Sequence, residues 1–273
     1  MKKLYLFLFS VFASFSFAQD YNVSSIPEHL VKNAHAVIRD WSEDYSLKSV
    51  SDMTVKRTYV STIMNAAGED YSRIYIPYNP TTRVSGIKVE MFDASGKIIK
   101  TFSKKDFADY THNPSAGLYV DDRILVLQPV TTQYPFTLKL SYETSTSNTI
   151  NLRSFSPIST YNVSLEKSSF VITNNSGIPI RTKINDKPIG KVSEIKEGNI
   201  WRYSYQNIPA IKQEDLAPSL EYLLPDVQFS PEKFTLEGKQ GDMTDWNTFG
   251  KWYYQQLISP VSTITPEISA EIS

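Results

Sequence analysis

Short apolar runs separated by turn residues fill the chain from about residue 51 to residue 210. In FTLKLSYET the apolar side chains alternate strictly, as one buried face of a β-strand requires: Phe136, Leu138, Leu140 and Tyr142. Similar runs are TVKRTYVSTI, RILVLQPV, SSFVITNN and NIWRYSYQNIP. The 17 Tyr and 14 Phe suit such strands, because flat rings pack well on a pleated surface. The pattern predicts an all-β fold, an antiparallel β-sandwich.

Two stretches have clear turn chemistry. The tetrapeptide DASG, residues 93–96, separates GIKVEMF from IIKTF and predicts a hairpin. In NAAGED a loop joins two further β-rich runs, and Gly68 is expected to supply a positive φ there.

Beyond the sandwich, prolines at 209, 218, 225 and 231 exclude a long helix. The segment is nevertheless too apolar for a free linker, and we expect it to lie extended against the sandwich through six side chains: Leu220, Tyr222, Leu223, Leu224, Val227 and Phe229.

The stretch DMTDWNTFGKWYYQQLISP predicts a helix that ends at Ser259-Pro260. Thr244 or Asp242 can cap its start, and Asp245 suits the positive end of the helix dipole. Gly250 would allow another backbone to approach closely. The predicted apolar stripe is Trp246, Phe249, Tyr253 and Leu257.

A second helix is predicted to begin in TITPEISAEIS. Thr265 is a candidate N-cap, Pro266 suits the first helical position and Glu267 the first turn. Two consecutive helices that open at the end of the sequence indicate the start of a further domain. We therefore expect the chain to be truncated.

The first residues have the pattern of a secretory signal peptide. Two lysines precede an apolar run from Leu4 to Phe12, and Ser16-Phe17-Ala18 matches the small-x-small cleavage pattern before Gln19. The run is shorter than the roughly 20 residues of a membrane-spanning helix, which disfavours an uncleaved anchor. Export to the periplasm, the cell surface or the medium is expected.

The chain has no cysteine, so it contains no disulfide, thiolate zinc site or cysteine nucleophile. Its formal charge of -1 does not suggest nucleic acid or anionic lipid as a partner. The predicted organisation is a signal peptide at 1–18, a lead-in at 19–50, the sandwich at 51–210, the extended Pro-rich segment at 211–243 and the start of a truncated helical region at 244–273.

Six segments in order carry a family resemblance: AHAVIRDW, NAAGED, FDASGKIIK, YVDDRILVLQPV, NIPAIKQEDLAPSLEYLLPDVQFS and WNTFGKWYYQQL. From about Ala34 to Leu257 the chain resembles the domain of unknown function that precedes a transglutaminase-like catalytic domain in bacterial exported proteins. The resemblance implies a β-sandwich, an extended strand and a helix that introduces the catalytic domain. The family's catalytic Cys, His and Asp lie downstream of the matched segment. No catalytic, metal or cofactor residue is therefore assigned in this chain.

The histidines do not have the spacing of a recognisable metal or catalytic site. His29 and His35 are six apart, which does not give the i, i+4 pair of a helical zinc site. His112 has Asp109 and Ser115 near it in sequence, but a catalytic triad is defined by spatial geometry. Catalysis by these residues is disfavoured.

The acidic pairs have less specific interpretations. Asp121 and Asp122 could bind a cation, but a turn between strands in which Arg123 compensates one acid is favoured. The Glu214-Asp215 pair is expected to be solvated. Four tyrosines could line a sugar- or peptide-binding face, although half-buried strand positions are the favoured interpretation: Tyr75, Tyr78, Tyr110 and Tyr119.

The leading hypothesis is a non-catalytic exported module that positions or regulates a downstream transglutaminase-like, cysteine-protease-like domain and contributes to substrate recognition. Its expected partners are that domain in cis and a peptide, protein or glycan of the cell envelope. The alternative is a free-standing extracellular domain that binds glycan or protein. An independent hydrolase is a remote option, which would need a cleft joining His112 to a serine and a carboxylate.

Overall fold

The computed structural model of the chain describes residues 21–111, 121–131, 133–150 and 152–262. The predicted signal peptide at 1–18 and the predicted second helix from Thr265 lie outside the described residues. So do His112, Ser115 and Tyr119.

The described residues form mostly strands. The strands are β1 (Ala36–Ser49), β2 (Asp52–Ile63), β3 (Ile74–Tyr78), β4 (Thr82–Phe92), β5 (Ile98–Ser103), β6 (Ala108–Thr111), β7 (Arg123–Leu127), β8 (Phe136–Thr146), β9 (Val163–Asn174), β10 (Ile180–Asn185), β11 (Ser193–Glu197), β12 (Ile200–Ile208), β13 (Asp226–Pro231), β14 (Lys233–Leu236) and β15 (Lys239–Asp242). The α-helices are α1 (Glu28–Val31) and α2 (Trp246–Tyr253). This confirms the prediction of a largely β fold with a short C-terminal helix.

A large sheet of eight strands has the order β11-β12-β9-β1-β2-β8-β4-β5. Its pairs are antiparallel except β1 with β9, which run parallel, so the prediction of a purely antiparallel arrangement is wrong at this pair. The reason is the connection between β8 and β9. Both strands point the same way, so residues 147–162 cross the sheet from one end to the other instead of forming a tight turn.

The central position of β1 was not expected from the sequence. This 14-residue strand lies within the predicted lead-in, 19–50, yet it pairs with β2 on one side and β9 on the other. A register shift between Ile38 and Asp40 places Trp41, Glu43 and Tyr45 on the same face of the sheet as Ile38. Its polar residues make this strand look solvent-exposed in the sequence, although many of its residues are buried.

Two small sheets lie over one face of the large sheet. The pair β10-β13 covers the end built from β1, β9 and β12, where Phe170 stacks on Phe229 with ring centroids 4.7 Å apart. The sheet β3-β7-β6 covers the other end, where Ile76 and Leu125 pack against Val89 of β4 and Leu138 of β8. The two hydrophobic cores therefore lie side by side on the large sheet, and each is covered by its own small sheet.

The loop after β2 differs from the prediction in its backbone. Residues Ala66–Ser72 form a 3₁₀ helix, and the φ of Gly68 is not positive. A Cβ at Gly68 would lie 2.1 Å from the backbone oxygen of His35, so glycine permits a close approach of two backbone segments. Backbone proximity, not a left-handed turn, explains this residue.

The extended segment does lie against the sheets. Leu220, Leu224, Val227 and Phe229 are buried, and β13 within this segment pairs with β10. Tyr222 is 63% exposed, so its predicted packing is wrong. Tyr222 is the last residue of a 3₁₀ turn, Leu220–Tyr222, and the buried residue of this turn is Leu220.

Helix α2 packs on the hairpin formed by β14 and β15. Asp245 is its N-cap and accepts a 2.8 Å hydrogen bond from the Thr248 backbone N–H, so the predicted caps Thr244 and Asp242 are wrong. The Asp242 carboxylate instead accepts from the N–H of Thr244, which holds the preceding turn. Helical structure continues through a π-helical segment, Tyr254–Ile258, and a 3₁₀ turn, Ser259–Val261, so it passes the predicted end.

The helix face that contacts the hairpin is shifted from the predicted stripe. Trp252 packs edge-on against Phe234 at 4.8 Å and stacks on Phe249, and its Nε1 donates a 2.7 Å hydrogen bond to Gln240 O. Trp246 and Tyr253, two members of the predicted stripe, are exposed. No helix among the described residues is long and apolar enough to cross a membrane.

Candidate binding cleft

A cleft of about 640 Å³ opens between the two small sheets, above the middle of the large sheet. Its floor comes from β1, β2 and β8. One wall is β3 with the residues just before it, and the other is the crossing segment at residues 153–159. Tyr71 packs against both hydrophobic cores and marks the boundary between them.

The floor is organised around a buried carboxylate. Glu43 is only 2% exposed and accepts hydrogen bonds from three side chains on β1 and β2: Trp41 Nε1 at 3.0 Å, the Tyr45 hydroxyl at 2.8 Å and the Tyr59 hydroxyl at 2.5 Å. A buried charge is tolerated when it is paired and hydrogen-bonded. These donors hold the carboxylate in one orientation beneath the cleft.

Arg57 of β2 lies beside this carboxylate. Its Nε is 3.7 Å from Glu43, and its Nη1 donates a 2.8 Å hydrogen bond to Thr144 Oγ1. The guanidinium carbon lies 5.7 Å from the ring centroid of Tyr45 and 5.6 Å from that of Tyr142, within cation–π range. Two rings and a hydroxyl therefore fix the guanidinium plane at the floor.

The tyrosines of the floor are held neutral. Burial raises the pKa of Tyr45, Tyr59 and Tyr142, and the nearby charge of Glu43 raises each of them further. At neutral pH their hydroxyls are thus donors to Glu43 or neighbours of Arg57, not competing anions.

Arg153 forms part of the opposite wall. Its side chain is 61% exposed, lies over the Trp41 ring at 5.7 Å, and places Nη1 3.9 Å from Glu43. A third arginine, Arg73, precedes β3 on the other wall and pairs with the exposed Asp70 at 3.3 Å. In the part of the chain that the structure describes, the charged side chains that line the cleft are these three arginines.

Side-chain hydrogen bonds lie near both ends of the cleft. At one end the hydroxyls of Tyr71 and Thr160 share a hydrogen bond across the gap. At the other end Asn148 Nδ2 donates to Thr81 Oγ1 at 2.8 Å and to Glu237 Oε1 at 2.5 Å. The cleft is therefore a trough with side-chain hydrogen bonds near each end.

The residues singled out from the sequence are scattered. Of the four tyrosines, Tyr75 lines the cleft and is 53% exposed, whereas Tyr78 and Tyr110 lie outside the cleft lining. Glu214 and Asp215 are exposed, as predicted. Within the described ranges no group of three His, Asp or Glu side chains could hold a metal ion, and His35 is held through its backbone N–H and carbonyl.

Arg123 compensates a different acid from the one expected. Its Nε donates to Asp109 Oδ1 at 3.0 Å rather than to Asp121 or Asp122, because β7 pairs with β6 and brings the two side chains together. The Tyr78 hydroxyl also donates to Asp109 at 2.7 Å, and these two bonds lower the pKa of that carboxyl. Asp109 is therefore occupied in a surface ion pair.

Sequence reasoning missed the floor of the cleft. Glu43 and Arg57 resemble outward-facing residues in polar strands, and each lies three or more positions from the turns that were recognised. The available signal was the alternation Trp41-Glu43-Tyr45 and Val55-Arg57-Tyr59, in which a charge occupies an inward position between apolar or aromatic neighbours.

A family profile matches residues 51–212, more than half of the chain, and describes a domain of unknown function with a solved structure, DUF3857. The chain belongs to the DUF3857 family. The DUF3857 match begins after β1, so it includes Arg57 and Arg153 but not Glu43. No curated protein matches this chain.

Among solved structures, a candidate protease from Parabacteroides distasonis shares the fold of this DUF3857 chain with a TM-score of 0.57 and 17% identity. The match covers 72% of this chain and 40% of that one, so the chain spans less than half the length of that protein. Leukotriene A4 hydrolase from Saccharomyces cerevisiae aligns with a TM-score of 0.31 and 12% identity, over 81% of this chain and 32% of that chain. A similarity of that size carries no functional argument.

Proposed function

We propose that this chain is an exported, non-catalytic module that positions or regulates a downstream transglutaminase-like domain and contributes to recognition of its substrate. The observation that carries the proposal is the outer face of α2 and the π-helical segment after it. Trp246 is 89% exposed, and Tyr253, Tyr254 and Ile258 are also exposed on this helical region. Exposed apolar side chains grouped in this way mark interaction sites.

The opposite face of the same helix is anchored. Phe249 and Trp252 pack on Phe234 of β14, and Lys239 Nζ donates to the backbone oxygen of Gln256. The exposed rings are therefore presented from a support attached to the sheets. Such a support could transmit a fixed orientation to a neighbouring domain.

Two further facts support the proposal. The chain has no cysteine, so cysteine-based catalysis would have to come from residues outside it. The structure with the shared fold is a candidate protease whose length extends well beyond the matched 40%. An accessory module joined to a hydrolytic domain is consistent with both facts.

The test begins with the coding sequence beyond Ser273. The protein it encodes and the chain from Gln19 to Ser273 are then compared by hydroxyl-radical footprinting. We expect Trp246 and Tyr253 to be protected in the longer protein, because the second domain covers them. Tyr222, exposed at a distance in sequence from α2, is the internal control and should label equally in both.

A stop codon directly after Ser273, or equal labelling of Trp246 in both proteins, would contradict this role. Trp246→Ala provides an independent measurement, since the side chain is exposed and its removal should leave the isolated chain folded. In the longer protein we expect this variant to loosen the contact and change the rate of the catalytic domain.

The second candidate function is a free-standing domain that binds protein or glycan. The cleft favours it, because its floor and both walls belong to this chain. This function predicts ligand binding without any second domain.

A further inference from the structure

At the cleft, neither of the two small sheets covers the large sheet. In the described part of the chain β3 pairs only with β7, so its other edge faces the trough. The opposite wall is joined to β13 by reciprocal hydrogen bonds between Phe155 and Val227, of 2.9 and 3.2 Å. An edge strand offers unpaired backbone groups, and extended peptides bind to such edges. In β3, Pro77 contributes only its carbonyl, because proline has no N–H.

The charge of the cleft indicates what kind of ligand would fit. Arg57, Arg73 and Arg153 line it. The nearby acids are Glu43 beneath the floor, Asp70 beside Arg73 and Glu237 at one end. Among the described residues, the charged groups that line the cleft are therefore all positive. A ligand with a negative group therefore complements the cleft.

Glu43 lies near Arg57 and Arg153 but does not occupy all of their hydrogen-bond donors. Its distances to Arg57 and Arg153 are 3.7 and 3.9 Å, longer than the roughly 2.7–2.9 Å of a direct charge-assisted hydrogen bond. Its closer donors are Trp41, Tyr45 and Tyr59. The guanidinium forks therefore keep donors for a ligand, and their planar geometry suits a carboxylate.

The aromatic rings of the floor argue against sugar stacking. Arg57 lies over Tyr45 and Tyr142, and Arg153 lies over Trp41. Tyr45 also stacks on Phe170 at 4.6 Å. These ring faces are engaged by the protein itself, so they are poor platforms for a pyranose, whereas a strand edge and paired arginines suit a peptide.

We propose that the cleft binds an extended polypeptide segment with an acidic side chain. The carboxylate is received by Arg57 and Arg153, and the backbone of the segment lies along the free edge of β3. A role for this peptide as substrate rests on the proposed accessory function. The binding itself requires only this chain, so its measurement is independent of the docking of α2.

The test is selection of a random peptide display library on the chain from Gln19 to Ser273. We expect recovered peptides to be enriched in Asp and Glu next to apolar residues. A synthetic copy of a recovered peptide, titrated calorimetrically, should bind Arg153→Gln roughly tenfold more weakly than the unsubstituted chain. Arg153 is 61% exposed, so this variant should fold.

Arg202→Gln is the matched control, because Arg202 is an exposed arginine of β12 outside the cleft. This variant should bind the peptide as tightly as the unsubstituted chain does. A second control replaces the acidic residue of the peptide by Gln or Asn. That peptide should bind weakly and should not distinguish Arg153→Gln from the unsubstituted chain.

Three results would overturn the proposal: no acidic enrichment in the library, equal affinity of Arg153→Gln and Arg202→Gln, or binding to an acidic oligosaccharide panel without peptide binding. The last result would assign the cleft to a glycan. None of them bears on whether Trp246 is covered in the longer protein, so the two proposals fail separately.

Discussion

The Nε of Arg57 lies 3.7 Å from a carboxylate oxygen of Glu43. The arginine lines the floor of the cleft between the two small sheets, and the carboxylate lies beneath it. The arginine side chain is 13% exposed and the glutamate 2%, so solvent screens their interaction only weakly. This pair joins β1 to β2 at the place where neither small sheet covers the large one.

Replacing Glu43 by Gln should destabilise the fold by about 3–5 kcal/mol, because it leaves Arg57 as an uncompensated charge at a largely desolvated position. Urea unfolding followed by circular dichroism measures the change in free energy. Adding Arg57→Met to this variant should recover part of the loss, since it removes the unpaired charge.

The matched control for this prediction is Glu197→Gln, at an exposed position on β11, which should stay within about 0.5 kcal/mol of the unsubstituted chain. If Glu43→Gln behaved like Glu197→Gln, the carboxylate would not hold the floor together.

Stability should fall as the pH rises above about 10, the unfolded pKa of tyrosine. Burial raises the folded pKa of Tyr45, Tyr59 and Tyr142, so above that pH the unfolded chain releases protons that the folded chain retains. The contribution of these groups is fully present below pH 10 and is lost as the pH rises toward their folded values. Unfolding free energies measured across this range test the slope.

Tyr45→Phe isolates one of these groups. Its slope above pH 10 should be smaller than that of the unsubstituted chain by up to about 1.4 kcal/mol per pH unit. Tyr222→Phe, which removes the hydroxyl of a 63% exposed ring, is the control. Identical slopes for Tyr45→Phe and the unsubstituted chain would show that ionisation of Tyr45 is not coupled to folding.

Two glycines near α2 should respond in opposite directions to substitution by alanine. A Cβ at Gly241 would lie 2.3 Å from Phe234 Cζ and 2.8 Å from Trp252 Cε2, so Gly241→Ala should cost about 1–3 kcal/mol through overpacking. Gly250 has no atom within 4 Å of that position, so Gly250→Ala should stabilise α2 by about 0.5–1 kcal/mol.

Hydrogen exchange of the amides in residues 246–253 measures both effects. Exchange should become faster in Gly241→Ala and slower in Gly250→Ala. The same sign in both variants would contradict the packing of Trp252 against the hairpin. Among the described residues no backbone lies close to Gly250, so the close approach that this glycine would allow stays a prediction.

Local patterns were sufficient where neighbours in sequence decide the structure. The turn at Asp93 joins β4 and β5, with Gly96 at φ 83 and the Asp93 carboxylate accepting from the Ser95 N–H. Ile87, Val89 and Met91, which alternate with polar residues in GIKVEMF, are buried, as local alternation indicates. Asp245 and the aromatic residues after it predicted α2, although they did not show that Trp252 faces the hairpin.

Long-range pairing was beyond these patterns. The parallel partnership of β1 with β9 depends on the path of residues 147–162, which no local signal specifies. Glu43 looks solvent-facing in isolation, because a carboxylate is costly to bury unless partners from other strands are supplied. Those partners include Tyr59 and Arg57, which pairing of β1 with β2 brings alongside.

The sequence by itself determined that this chain is mostly β, where its hairpin turns fall and that it contains no cysteine nucleophile, because alternation, turn residues and composition are local properties. Only the tertiary structure decided that β1 lies at the centre of the sheet and that two separate small sheets lie over it. It also decided that Arg57 and Arg153 face one cleft. Those features arise when strands distant in sequence pair and bury a charge together.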